Sequence, residues 1–159
     1  MIAARIIADS THNGHRLTTV EVRLPRFLLA ELNTHRTFSR NSASSRAIPV
    51  RRRIRDVLAC PYVPDAFGAN KAGMQAGEPV GALRATFARC VWMTALYAAV
   101  GCAYLLAMAG VHKQWANRLI EPFGYTTVIV SATEWANFFG QRLHQAAQPE
   151  LQQVARALV

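Results

Sequence analysis

Apolar and polar positions alternate from Leu17 to Leu24, with Val20, Val22 and Leu24 on one side and Glu21 and Arg23 on the other. A period of two turns one set toward a core and the other toward solvent, so this stretch predicts a half-buried strand. The apolar run Ile2–Ala8 predicts a second strand, and the turn-forming cluster Asp9–Gly14 between them predicts a hairpin. From Pro25 the period changes: Phe27, Leu28, Leu32 and His35 recur at helical spacing, and proline suits a first helical position. A helix is therefore predicted over Pro25–Thr37, with His35 and Arg36 at its C-terminal end. Ser39–Arg46 has no large apolar residue and reads as a polar loop. Pro49 opens a further helix through Val50, Ile54, Val57 and Leu58, with Arg51, Arg52, Arg53 and Arg55 turned outward, and the Pro- and Gly-rich segment Cys60–Pro79 reads as irregular.

Val80–Gly110 predicts one long helix. Its second half, Val91–Val111, runs 21 residues without a formal charge, long enough to span a bilayer at about 1.5 Å per residue. Alanines, Thr94, Tyr97, Gly101 and Tyr104 dilute that run, which favours a helix buried on most sides, in a core or a subunit interface, over a membrane span. Gly110 suits a helix end, Lys113–Ile120 a short helix stopped by Pro122 and Gly124, and Tyr125–Val130 a buried strand. Ser131-Ala-Thr-Glu134 has the pattern of a capping box and predicts the start of a helix through Trp135, Phe138, Phe139 and Arg142. Pro149 opens a last helix.

A chain of 159 residues is expected to form a single domain, 1–159, and at 52% hydrophobic and 17% charged it is too apolar for disorder. The net charge of +9 predicts attraction to anions: nucleic acid, a membrane surface or phosphorylated small molecules. Eleven of the 18 cationic side chains, all arginine, lie between Arg5 and Arg55, against Asp9, Glu21 and Glu31, so the first third carries that attraction. Cys60, Cys90 and Cys102 match no metal-binding or redox spacing, and the N-terminus lacks the features of a secretory signal. Free structural thiols in the cytoplasm are the expectation.

The densest candidate chemistry is Thr34-His-Arg-Thr-Phe-Ser-Arg-Asn-Ser-Ala-Ser-Ser-Arg46. Hydroxyls, an amide and three arginines (Arg36, Arg40, Arg46) can offer several donors to one phosphate, the guanidinium forks supplying bidentate bonds; a merely solvated arginine-rich loop is the alternative. The five histidines never occur at metal-ligand spacing, so no metal site is expected. The cysteines have poor credentials as nucleophiles, since Cys90 and Cys102 fall in the apolar helix and Cys60 has no histidine near it in sequence. Arg142 follows Trp135, Phe138 and Phe139, company that could hold its guanidinium in a dry pocket or leave it as an ordinary surface charge.

These residues resemble the flavin-dependent thymidylate synthases. The hallmark of that family is Arg-His-Arg, seven residues, then Ser, within a longer pattern; here His35, Arg36, Ser39, Asn41, Ser44 and Arg46 match it with spacing preserved. A second block agrees: Arg118 with Pro122, Asn137-Phe138 with Arg142, and Ala147-Gln148 with Glu150. The two blocks lie in the family's order and cover most of the chain from Leu17 onward. Thr34 stands in place of the first Arg, Ser42 in place of a Glu, and Ser131 and Thr133 where many members have Asn and Arg.

The resemblance implies reductive methylation of dUMP to dTMP, with methylene-tetrahydrofolate as carbon donor, FAD as hydride relay and NADPH as reductant. It implies that Glu31, Ser44, Ser45, Arg46, Arg118 and Arg142 hold dUMP, and that Arg142, beside the uracil, is the catalytic group that favours ionisation at N3. FAD would meet the positions of Thr34, His35, Arg36, Ser42, Ser131, Thr133 and Asn137. The implied fold is α+β, a small mainly antiparallel sheet flanked by helices with one long apolar helix, assembled as a cytoplasmic homotetramer that binds neither nucleic acid nor membrane. Against the family's usual length the chain is short at its C-terminus. A catalytically impaired relative that keeps the nucleotide site, and a small basic nucleic-acid-binding protein, are the competing expectations.

Overall fold

The computed structural model describes residues 1–159. Asn13 and Gly14 take φ of 48° and 79°, the left-handed pair that a two-residue hairpin turn requires. On either side β1 (Ala3–His12) and β2 (His15–Pro25) pair antiparallel from Ala3↔Arg23 to His12↔His15. The strands outrun the predicted ones, because the turn is confined to Asn13–Gly14 and Asp9 remains in the ladder. There its carboxylate takes bonds from Arg16 Nε and Nη2 and from the Thr18 hydroxyl, and the Arg16 guanidinium holds it below the usual carboxylate range.

After β2 the chain makes a short 3₁₀ turn (Arg26–Leu28) and a single α-helical turn, α1 (Leu29–Leu32). The predicted helix to Thr37 stops here: the backbone tightens to i→i+3 bonds, Thr34 N to Glu31 O and His35 N to Leu32 O, and side chains share the same carbonyls, Thr34 Oγ1 donating to Glu31 O at 2.7 Å and Arg40 Nη1 to Leu32 O and His35 O at 3.1 and 2.8 Å. The expected polar loop contains a strand instead, β3 (Ser39–Ser42), paired with β4 (Tyr125–Ala132) from Ser39↔Ser131 to Ser42↔Val128. The sheet order is β1-β2-β4-β3, antiparallel throughout. With the remaining helices, α2 (Val50–Ala59), α3 (Ala82–Met108), α4 (Lys113–Leu119), α5 (Ala136–Arg142) and α6 (Pro149–Ala157), the fold is α+β.

The chain divides into two compact units. The sheet unit, Met1–Ser44 with Tyr125–Val159, buries Val20, Val22 and Leu24 of β2 and Val128 and Val130 of β4 against Leu28, Leu32, Phe138, Leu151 and Val154. Val20, Val22 and Leu24 are the positions the alternating pattern turned inward. The capping box does not form: Ser131 and Ala132 belong to β4, the Ser131 and Thr19 hydroxyls bond each other across strands at 2.8 Å, and α5 starts without a side-chain cap. A long-range partner outcompeted a local one.

The helical unit, Ser45–Gly124, has its own core of Val57, Leu96, Ala103, Ile120 and Phe123. Cys60–Pro79 is irregular as expected, with one isolated bridge, Gly68↔Pro79. Arg53 is buried rather than outward at 5% exposure; a Cβ on Gly124 would lie 2.7 Å from its Nη2, so the absence of a side chain there makes its room. The long helix is not buried on most sides within the chain. Only Leu96 and Ala103 of α3 are fully covered, whereas Leu83, Phe87, Val91, Tyr97, Tyr104, Leu105 and Met108 are exposed. At about 100° per residue those seven fall within roughly 140° of one face, opposite Leu96 and Ala103. Cys90 and Cys102, on the same helix, are exposed and free rather than packed in a core.

Candidate functional site

In the sheet unit the residues that matter converge on one imidazole. The chain leaves α1 at Leu32 and turns through Thr34–Thr37, which sets His35 beneath Phe38 and Phe138 at 5% exposure, its ring edge-on to Phe138 at 4.9 Å between centroids. From the end of α5, Arg142 reaches back: Nε donates to His35 Nε2 at 2.9 Å and Nη2 to Thr34 Oγ1 at 3.3 Å. Burial, then Arg142, then Arg40 push the imidazole below the ordinary histidine range. A nitrogen that accepts from a guanidinium carries no proton, so His35 is neutral, with its proton on Nδ1.

The Arg142 fork is half used. Nε and Nη2 are held inside the chain, while Nη1 makes no hydrogen bond within it, and the side chain is half-buried on a helix end lined with aromatics. Such a guanidinium is oriented before a ligand arrives and can stabilise negative charge developing nearby. Glu31 Oε2 is buried without a hydrogen-bond partner, an acceptor suited to a donor from outside the chain. Arg36, Ser42, Ser44, Thr133 and Asn137 are exposed. Ser131 is partly buried with its hydroxyl engaged by Thr19. Arg40, expected among the phosphate donors, turns Nη1 to the carbonyls of Leu32 and His35. Arg26 Nη1 donates to Ala43 O at 3.1 Å and holds the end of the β3 segment.

In the helical unit a second polar cluster forms where the Thr34–Arg46 string ends. Asn117, fully buried on α4, donates through Nδ2 to Ser45 O and Ile48 O, both at 2.8 Å, which fixes the turn carrying Arg46. The Ser45 hydroxyl donates to Glu121, and Arg118 Nη1 lies 3.6 Å from the other Glu121 oxygen. The Ser45 proton is thereby spent on Glu121, whereas Arg46 and Arg118 remain exposed, two cations on a braced backbone. That is a donor set for a phosphate. Asn117, Glu121 and Arg26 escaped sequence reasoning because each acts on carbonyls or hydroxyls far away in the chain.

Over residues 9–159 the chain matches the family model described as thymidylate synthase complementing protein. Among solved structures it is similar to the UMP/dUMP methylase PolB from Streptomyces cacaoi bound with 5-Br UMP, with TM-score 0.82 and 19% identity over 99% of this chain and 86% of that one. A structure of the same methylase bound with 5-Br dUMP matches with TM-score 0.76 and 19% identity over 99% and 88%. No protein of curated function matches the chain in sequence.

Proposed function

The chain belongs to the thymidylate synthase complementing protein family, and on that premise we propose that it methylates dUMP reductively to dTMP at C5 of the uracil. The observation that carries the reading is Arg142: a guanidinium pinned by His35 and Thr34 with Nη1 left over for a ligand. Beside the uracil, that charge favours the N3 anion, which raises electron density at C5 and makes it the nucleophile toward a one-carbon donor of the methylene-tetrahydrofolate class. In the helical unit the exposed Arg46 and Arg118 supply cations suited to a nucleotide phosphate, and in the sheet unit Glu31 Oε2 supplies an acceptor.

For the flavin, the exposed Arg36, Ser42, Thr133 and Asn137 supply a cation, two hydroxyls and an amide suited to the phosphates and ring edge of FAD. When bound, FAD supplies the hydride, replenished from NADPH, that reduces the transferred carbon to a methyl group. The exposed apolar face of α3 supports self-association into the homotetramer, since a soluble monomer rarely leaves so large a patch bare.

The test is direct. Purified chain is incubated with dUMP, methylene-tetrahydrofolate and NADPH, with and without FAD, in parallel with UMP, and methylated product is read by mass spectrometry. Flavin-dependent dTMP formation is expected, falling about 10²–10³-fold in Arg142→Ala. Tight dUMP binding without product in any arm would leave the impaired relative standing, and no nucleotide binding at all would overturn the reading.

A further inference from the structure

We propose that His35 is a positioning residue for Arg142: a neutral acceptor that, together with Thr34, aims the guanidinium and releases it on protonation. The inference rests on the reading of Arg142 as the group that meets the uracil. Three observations carry it. The imidazole is almost wholly covered, wedged between Phe38 and Phe138, so an external ligand has little of it to touch. Its Nε2 is occupied by Arg142 Nε at 2.9 Å. The Thr34 hydroxyl, which donates to Glu31 O, accepts Arg142 Nη2 on its lone-pair side. Thr34 and His35 thus grip the two adjacent donors on one edge of the guanidinium and leave the opposite nitrogen for a ligand.

The grip depends on charge. The ionised groups acting on the ring are Arg142 from α5 and Arg40 at β3, both cationic. Protonation of Nε2 would replace the acceptor with a donor facing a donor and add a third positive charge to the cluster. For a ring whose protonation is disfavoured in the folded chain, the neutral form is complete above the ordinary histidine range, and the grip is lost as pH falls through the lower folded value.

The full chain is labelled with ¹⁵N-histidine, and the His35 ring is read by long-range ¹H–¹⁵N correlation. A bare Nε2 with the proton on Nδ1, persisting to a pH below that of free histidine, is expected; a proton on Nε2 at neutral pH would overturn the proposal. Affinity for dUMP is then measured by calorimetry from pH 8 to 5.5 in wild type, His35→Leu and His35→Gln. His35→Leu should bind roughly tenfold more weakly across the range, and His35→Gln, whose amide oxygen still accepts, should recover most of that loss. The nucleotide phosphate titrates near pH 6 in every sample, so the acid limb present in wild type and missing in His35→Gln belongs to His35. Equal affinities and identical profiles in all three would sink the idea.

If none of the proteins binds dUMP, the methylase reading has failed, and the Arg142 Nε–H resonance decides this one alone. Slow exchange in wild type, lost in His35→Leu, supports the grip; fast exchange in wild type overturns it. Should His35→Leu not fold, Thr34→Val removes the other acceptor, and an unchanged Nε–H exchange rate together with unchanged dUMP affinity would count against the grip.

Discussion

Asn117 shows how one buried amide can set the position of a whole turn. Its nitrogen has two protons and spends both on the carbonyls of Ser45 and Ile48. Asn117→Ala strands those carbonyls and should cost about 2–3 kcal/mol, read as a shift in the urea midpoint at unchanged slope. Asn117→Asp should cost more at neutral pH, because a carboxylate oxygen would face two carbonyl oxygens. At this scale the sequence was legible where residues act near their own position. The string Thr34–Arg46 advertised its donors, and Arg142 its aromatic company. It was illegible where a side chain serves a distant backbone: Arg40 and Arg53 look like surface charges until the carbonyls of α1 and the bare Cα of Gly124 supply their surroundings.

At the scale of elements, the hairpin and α1 are opposite cases. The β1–β2 ribbon follows from a local pattern, alternation closed by Asn-Gly, and its turn has a local vulnerability. Gly14 sits at φ 79° with no atom near a built Cβ, so Gly14→Ala meets no clash and should cost about 1–2 kcal/mol through left-handed backbone strain alone, measured by thermal unfolding. For α1 the helical spacing continues past Leu32, but the backbone tightens to i→i+3 bonds at Thr34 and His35, and Thr34 and Arg40 side chains bond the same carbonyls. β3 lacks any apolar signal and exists because β4 offers it an edge, and the capping box at Ser131 loses to the Thr19 hydroxyl for the same non-local reason.

At the scale of the whole molecule the open question is what covers α3. Its two apolar faces point opposite ways: Leu96 and Ala103 close the helical core, and the stripe from Leu83 to Met108 is left outside. Phe87 and Leu105, 71% and 66% exposed, lie on that outer stripe and touch the core little, so the double substitution Phe87→Glu/Leu105→Glu should leave the fold intact. Light scattering on detergent-free protein is expected to show an assembly for wild type and a 17.5 kDa monomer for the variant. A wild type already monomeric would refute the assembly, and one recovered only with membranes would point to the bilayer instead.

By itself the sequence determined the strand and helix periods, the inward face of β2, the buried strand at β4, the concentration of arginine in the first third and the two motif blocks that carry the family resemblance. All of these are properties of residues near one another in the chain, where spacing and side-chain type suffice. Only the tertiary structure decided which cations are spent inside the chain, that His35 faces Arg142 rather than solvent, that Asn117 braces the Ser45–Ile48 turn, and that most of the long apolar helix stays uncovered within one chain. Each of those depends on a hydrogen bond or a packing partner between residues far apart in sequence, and competition for such partners is settled only when the chain has folded.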